Sequence, residues 1–274
     1  MGLRHLTSAA ITLLTAIPST QAAEWPDLST PPRATGGGER DAAVIIGVED
    51  YAFVSDVPGA DDNALDWFYW LTKTRGVPSM RVHLLRDTEA TDTMIREMAA
   101  RAASQVQDGG TMWFVYIGHG APAQDGSDGM LVGADAQASV AGIYGRAISR
   151  SEIVDLLVVG PQDRTVMVLD ACFSGLTASG GWLAEGLQPL VPAYATERAQ
   201  VTVLSATRGD QFAGPLPGVA RPAFSYLLLG ALRGWGDGDG DGHVTAGEAT
   251  DYIRDAMLGV VKDRRQEPHI QGEG

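Results

Sequence analysis

Two side chains stand out for their chemistry. Cys172 is the single cysteine among 274 residues and lies in VLDACFSG, residues 168–175. His119 lies 53 positions earlier, in YIGHG. Each sits where an apolar run gives way to glycine. A thiol with a pKa of about 8.5 is a modest nucleophile until a base or a cation assists it. An amine leaving group needs a proton donor, and one imidazole can serve both needs. The small residues Gly118, Gly120, Ala171 and Gly175 let a peptide backbone approach closely. They also leave backbone N–H groups free to stabilise an oxyanion. The pattern points to nucleophilic catalysis, with Cys172 attacking and His119 moving the proton.

A second constellation is acidic. DGDGDGHVTAGE, residues 237–248, follows the EF-hand loop position by position. Asp237, Asp239 and Asp241 take the first, third and fifth places, and Gly242 takes the sharp turn at the sixth. His243 offers its carbonyl at the seventh, Thr245 sits at the ninth and Glu248 at the last. Thr245 and Glu248 alone would also make a helix capping box. That reading leaves the alternating aspartates unexplained, whereas a hard cation among them relieves their repulsion. The expected cofactor is Ca2+, at modest affinity because no second loop is visible, and no organic cofactor is expected.

These residues need elements to position them. AAVIIGV (42–48), RVHLL (81–85), TMWFVYIGHG (111–120), RTVMVLDACFSG (164–175) and AQVTVLSAT (199–207) read as buried strands. Between them, Ala64, Leu65, Phe68 and Leu71 fall on one helical face. Ile95, Met98, Ala99, Ala102 and Val106 fall on another. Ser149 and Glu152 form a capping box ahead of a further helix, and 223–232 and 245–261 close the chain as helices. Such alternation predicts an α/β fold, a mostly parallel sheet sandwiched between helices. Ligands of an open parallel sheet bind at the carboxyl ends of its strands, where His119 and Cys172 both fall. Residues 176–198 lack periodicity and read as a long functional loop.

Residues 1–23 have the layout of a signal peptide, with Arg4, an apolar run, Pro18 and small residues up to Ala23. Export, periplasmic or extracellular, is therefore expected. Residues 24–40, rich in Pro and Gly, read as a linker, and 41–274 as one domain. The apolar run of the leader is too short to span a bilayer and nothing later is long enough, so no stable membrane insertion is expected. The net charge of −14 disfavours nucleic acid and suits cations, including basic peptides. A lone cysteine excludes a disulfide scaffold and cysteine-based metal clusters. No Gly-x-Ser-x-Gly elbow is present, which sets aside a serine hydrolase.

VYIGHGAP and VMVLDACFSG resemble the His-Gly and Asp-x-Cys-x-Ser-Gly motifs of caspase-like cysteine peptidases, at the spacing those enzymes use. The similarity runs over about residues 41–272, through AVIIGVEDY, GADDNALDW, VTVLSATRGDQFAG and the closing RRQEPHIQG. It is nearer to bacterial caspase-domain and metacaspase-like proteins than to animal caspases. The resemblance implies a caspase/haemoglobinase-type sheet and hydrolysis of polypeptides through a thioester. By it, Cys172 is the nucleophile and His119 the acid–base, with the Gly120 and Cys172 N–H groups as oxyanion hole.

The resemblance also bears on specificity. An arginine of animal caspases falls on Val57, and Asp170 stands where they carry Gln. An aspartate substrate would meet an unpaired negative charge, so the expected P1 residue is Arg or Lys. Of the metacaspase pocket residues only Asp170 is kept. Asn63 falls on one of their aspartates, Ala60 on their Cys and Ile117 on a Ser, so Asp61, Asp62 or Asp210 could supply the missing charge. That erosion keeps open an alternative: a weak or inactive caspase-fold protein that binds peptides or calcium. Arg198 is a candidate autolysis site if a basic P1 holds.

Overall fold

AAVIIG is apolar along its whole length, and it forms the fully buried strand β1 (Ala42–Gly47). After it come α1 (Ala60–Tyr69), β2 (Val82–Arg86), α2 (Asp92–Gln105) and β3 (Thr111–Ile117). A small antiparallel unit follows: β4 (Gly120–Pro122), β5 (Gly129–Val132), the short helix α3 (Val140–Gly145) and β6 (Ala147–Ser149). The chain then continues through α4 (Arg150–Leu157), β7 (Arg164–Asp170), β8 (Val201–Ser205), α5 (Ala223–Gly230), α6 (Ala246–Val260) and β9 (His269–Gln271). The computed structural model describes residues 25–30, 32–177, 180–187, 198, 200–207, 211 and 213–272. The leader at 1–23 and Asp210 lie outside the described residues.

The main sheet has the order β2-β1-β3-β7-β8-β9, parallel except where β9 pairs antiparallel with β8. Alternate side chains go to opposite faces. Val44, Ile46, Phe114, Tyr116 and Leu169 pack with Ile95 and Met98 of α2 and Ile153 and Leu157 of α4. Ile45, Val115, Ile117, Val168 and Leu204 pack with Trp67 of α1, Leu228 of α5 and Ile253 of α6. Each such burial contributes about 1.5–3 kcal/mol, which makes the sheet the firm part of the molecule. The α/β sandwich expected from the sequence is the fold observed. Among the described residues no helix is long and apolar enough to cross a membrane.

The differences have physical causes. β3 and β7 stop at Ile117 and Asp170, short of 120 and 175, because the chain leaves the ladder just before His119 and Cys172. The helix after β1 buries Ala60, Asn63, Ala64, Trp67, Trp70 and Leu71, while Leu65 and Phe68 are only half-buried. Turning both indoles inward removes more apolar area from water. A widened last turn, where the Arg75 N–H reaches the Trp70 carbonyl at 3.0 Å, brings this about. The Ser149 hydroxyl accepts from the Glu152 N–H at 3.1 Å, but the Glu152 carboxylate bonds Arg96 at 2.7 Å, so only half the expected capping box forms. Strands β4–β6 and β9 carry no long apolar run and were not expected.

Residues 25–30 do not hang free. Leu28 is 2% exposed, and Arg233 donates to the carbonyls of Leu28 and Thr30 at 2.6 and 2.5 Å. The Trp25 indole donates to the Pro217 carbonyl at 3.0 Å. This part of the stretch read as a linker lies against the domain.

Candidate active site

In the β3–β7 register Ile117 stands opposite Asp170, and the Gly118 N–H donates to the Asp170 carbonyl at 3.2 Å. His119 and Cys172 each follow two residues later, at the same edge of adjacent strands. Both line a pocket of about 420 Å³. Asp170 lies in its wall, as do two loops, Ser55–Pro58 after β1 and Ala213–Pro215 after β8. Glycine is required at both bends around the histidine. A Cβ on Gly118 would meet the Tyr51 hydroxyl at 2.6 Å, and one on Gly120 would meet the Cys172 carbonyl oxygen at 2.7 Å. Gly120 therefore lies close against the Cys172 carbonyl, and it opens β4 opposite Leu131.

His119 is held from its backbone by two tyrosines. Its N–H donates to the Tyr51 hydroxyl at 2.7 Å, and the Tyr116 hydroxyl lies 2.7 Å from its carbonyl. The Tyr51 and His119 rings are 4.8 Å apart and tilted. Nε2 lies 2.6 Å from the Ser55 carbonyl oxygen. A carbonyl only accepts, so Nε2 carries the proton and Nδ1 keeps the lone pair. Burial lowers the imidazole pKa from 6.5 to about 4, against the Ser55 carbonyl and the Asp56 charge, which raise it. The ring is a neutral base at neutral pH. Tyr51→Phe leaves the buried His119 N–H without that acceptor. The expected cost is about 1–3 kcal/mol, read as a lower urea midpoint with an unchanged slope.

Cys172 is 6% exposed. Its sulfur accepts the Ala213 N–H, and its S–H faces the Ala213 carbonyl at 3.7 Å. Burial pushes the thiol up to about 12; the Ala213 N–H and the Arg264 charge oppose this, and the Asp170 charge adds to it. Thiol and imidazole are therefore both neutral at rest. Sulfur becomes a nucleophile only when its proton leaves, and a neutral imidazole in the same pocket is the available acceptor.

Asp170 is buried, and its Oδ2 accepts from the Ser225 N–H and hydroxyl, each at 2.7 Å. Burial raises its pKa to about 6, with the Ser225 bonds and Arg264 pulling it down. Asn63 is not in the pocket wall. Its amide donates to the Ser225 hydroxyl at 2.7 Å and to the Pro222 carbonyl at 2.9 Å, which makes it a brace one hydrogen bond behind Asp170. Asp61 is paired with Arg86 and does not line the pocket, nor does the exposed Asp62. The acid in the wall that the sequence reading missed is Asp56, exposed and close enough to influence His119. Tyr51, Tyr116 and Ser225 were missed as well. The alternation of β3 marks Tyr116 as buried, but nothing local marks a backbone carbonyl such as that of Ser55.

The acidic loop is only partly gathered. Carboxylate oxygens of Asp237, Asp239 and Glu248 lie within 4.8 Å of one another. Asp237 bonds the Gly240 and Gly242 N–H groups at 2.9 and 3.0 Å, and Gly242 has the left-handed φ of 84° that its turn requires. Asp241 stands outside the trio and bonds the His243 N–H at 2.7 Å. Thr245 and Glu248 complete a capping box on α6. Three carboxylates at this spacing are a donor set of the all-oxygen kind that suits a hard divalent cation.

No protein-family model matches the chain, and no curated protein matches it in sequence. Solved structures do. A protein of Geobacter sulfurreducens superposes with a TM-score of 0.60 at 14% identity, over 86% of this chain and 94% of that one. Caspase-1 from Spodoptera frugiperda superposes with a TM-score of 0.56 at 13% identity, over 89% of this chain and 94% of its own. The fold is caspase-like.

Proposed function

We propose that the protein is an exported cysteine endopeptidase that cleaves polypeptides after Arg or Lys. The observation that carries this reading is the placing of His119 and Cys172 on one pocket by the paired ends of β3 and β7. The thiol proton passes to Nδ1 of His119 as sulfur bonds the scissile carbonyl carbon. The carbonyl electrons move to oxygen, which the Gly120 and Cys172 N–H groups stabilise. When the carbonyl re-forms, the C–N bond breaks and the amine takes the proton from the imidazolium. Water, deprotonated by the same imidazole, then splits the thioester to a carboxylic acid and returns the thiol. For specificity, Val57 makes the wall apolar where an arginine would have received an acidic side chain. Asp170 and Asp56 supply negative charge for a cation. A peptide-library digest tests the reading: cuts after Arg and Lys are expected, and cuts after Asp would overturn the assigned specificity.

Ca2+ is proposed as the cofactor, held by Asp237, Asp239 and Glu248 with help from the His243 carbonyl; bound there it would offset two of the trio's three charges and fix the start of α6. At calcium a hundredfold above its Kd, binding adds about 2.7 kcal/mol. For a chain of this size that raises Tm by roughly 5–10 °C. A calorimetric scan should show this rise in the wild type and lose it in Asp237→Ala.

A further inference from the structure

Behind the Ala213–Pro215 wall lies the chain that follows α6. The side chain of Arg264 is packed there, 2% exposed. Its Nε donates to Gln266 Oε1 at 2.9 Å and its Nη2 to the Pro215 carbonyl at 2.8 Å. Gln266 Oε1 also accepts the Gly214 N–H at 3.2 Å. The seat admits no side chain at 214, where a Cβ would lie 2.8 Å from the Arg264 guanidinium carbon. One residue before this clamp, the Ala213 N–H bonds the sulfur. None of these contacts belongs to the dyad, yet they settle where the dyad's sulfur finds its hydrogen bond.

We propose that Arg264 is the positioning residue of the nucleophile: its fork, through Gln266 and Pro215, holds the Ala213 N–H on the Cys172 sulfur, and its fixed charge favours the thiolate. The inference rests on the peptidase reading for its role but not for its geometry. The charges concerned are few. Arg264 faces Asp263, Asp170 and Cys172, and the histidine across the pocket faces Asp56. Asp170 disfavours a second anion at the sulfur, so the buried cation offsets it. A guanidinium suits the task because it stays charged when buried and makes both bonds from one rigid plane.

The test compares Arg264→Gln and Arg264→Lys with the wild type. Gln places its amide N–H where Nε stood and can still donate to Gln266 Oε1, but it has no charge and falls short of the Pro215 carbonyl; Lys keeps the charge without the fork. Alkylation of Cys172 by iodoacetamide at pH 8, followed by mass spectrometry, should be about tenfold slower in Arg264→Gln, since the thiolate fraction falls tenfold per unit rise of thiol pKa. Arg264→Lys should recover to about threefold below wild type. Peptide cleavage should lose at least about tenfold in kcat in Arg264→Gln, with KM within about threefold, as a nucleophile effect requires. Alkylation of Arg264→Gln at the wild-type rate or faster, in protein whose Tm shows it folded, overturns the proposal. A wild type that alkylates but cuts nothing overturns the peptidase reading, and the alkylation rates still decide the role of Arg264.

Discussion

Cys172→Ala is expected to lower cleavage after Arg or Lys by at least about a thousandfold and to leave the protein folded. Removing a covalent nucleophile from a comparable hydrolase costs far more than that, and binding and the oxyanion donors alone retain only a small residue of rate. The stability effect is small by comparison. Alanine fits where the thiol was, and the loss is one sulfur hydrogen bond to the Ala213 N–H, about 1 kcal/mol, or a few degrees of Tm. Steady-state kinetics and a thermal scan on the same preparation separate the two. Activity within tenfold of wild type would place the nucleophile elsewhere. Absence of cleavage in the wild type, together with binding of basic peptides, would favour a peptide-binding module on the same fold.

Asp170→Asn is expected to reduce kcat/KM for a P1 arginine by roughly a hundredfold, with a P1 citrulline substrate nearly unaffected. The change keeps the shape and leaves an oxygen to accept from Ser225, so the loss reports charge. A hundredfold is about 2.7 kcal/mol, toward the low end of what truncating a buried charge pair costs. The pH profile carries a second signature. In the wild type the acid limb for the arginine substrate should fall near 6, where Asp170 takes its proton, because His119 stays neutral down to about 4. Asp170→Asn should move that limb toward 4 at its reduced rate. An unmoved limb would show that Asp170 does not meet the substrate cation.

Stability should follow the same two groups in opposite senses. Asp170 is raised from 3.8 to about 6, so between those values the folded protein holds a proton the unfolded chain has released, and stability falls as pH rises. His119 is lowered from 6.5 to about 4, so the unfolded chain binds the extra proton and stability falls as pH falls. Between about 4 and 6 the two slopes oppose each other. Asp170→Asn removes one, and its Tm should drop more steeply than wild type on acidification from 6.5.

The sheet and the meeting of His119 and Cys172 at its edge were legible in the sequence because both rest on local rules. Apolar runs mark β1, β3, β7 and β8, and glycines mark where two of them end. The surroundings were not legible because they are assembled from afar. Asn63 could be read as a pocket residue only while its partner, Ser225, was unknown. Asp56 looked like any loop acid, and the Ser55 carbonyl that sets the imidazole tautomer has no side-chain signature at all. The tail RRQEPHIQG carries a likeness, but the packing of Arg264 and Gln266 against the Ala213–Pro215 wall goes with β9 pairing with β8, a three-residue strand too short to announce itself.

The pairing of Ile117 with Asp170 has a thermal corollary. The reacting groups follow within two residues of the ends of two buried strands, whereas Val57, Asp56 and the 213–215 segment belong to loops, which open at lower free-energy cost. As the temperature climbs, choosiness should therefore decay before turnover does. On the peptidase reading, protein warmed short of melting would cut a broader set of peptides at an undiminished pace, behaving as a sharp blade in a loosening grip.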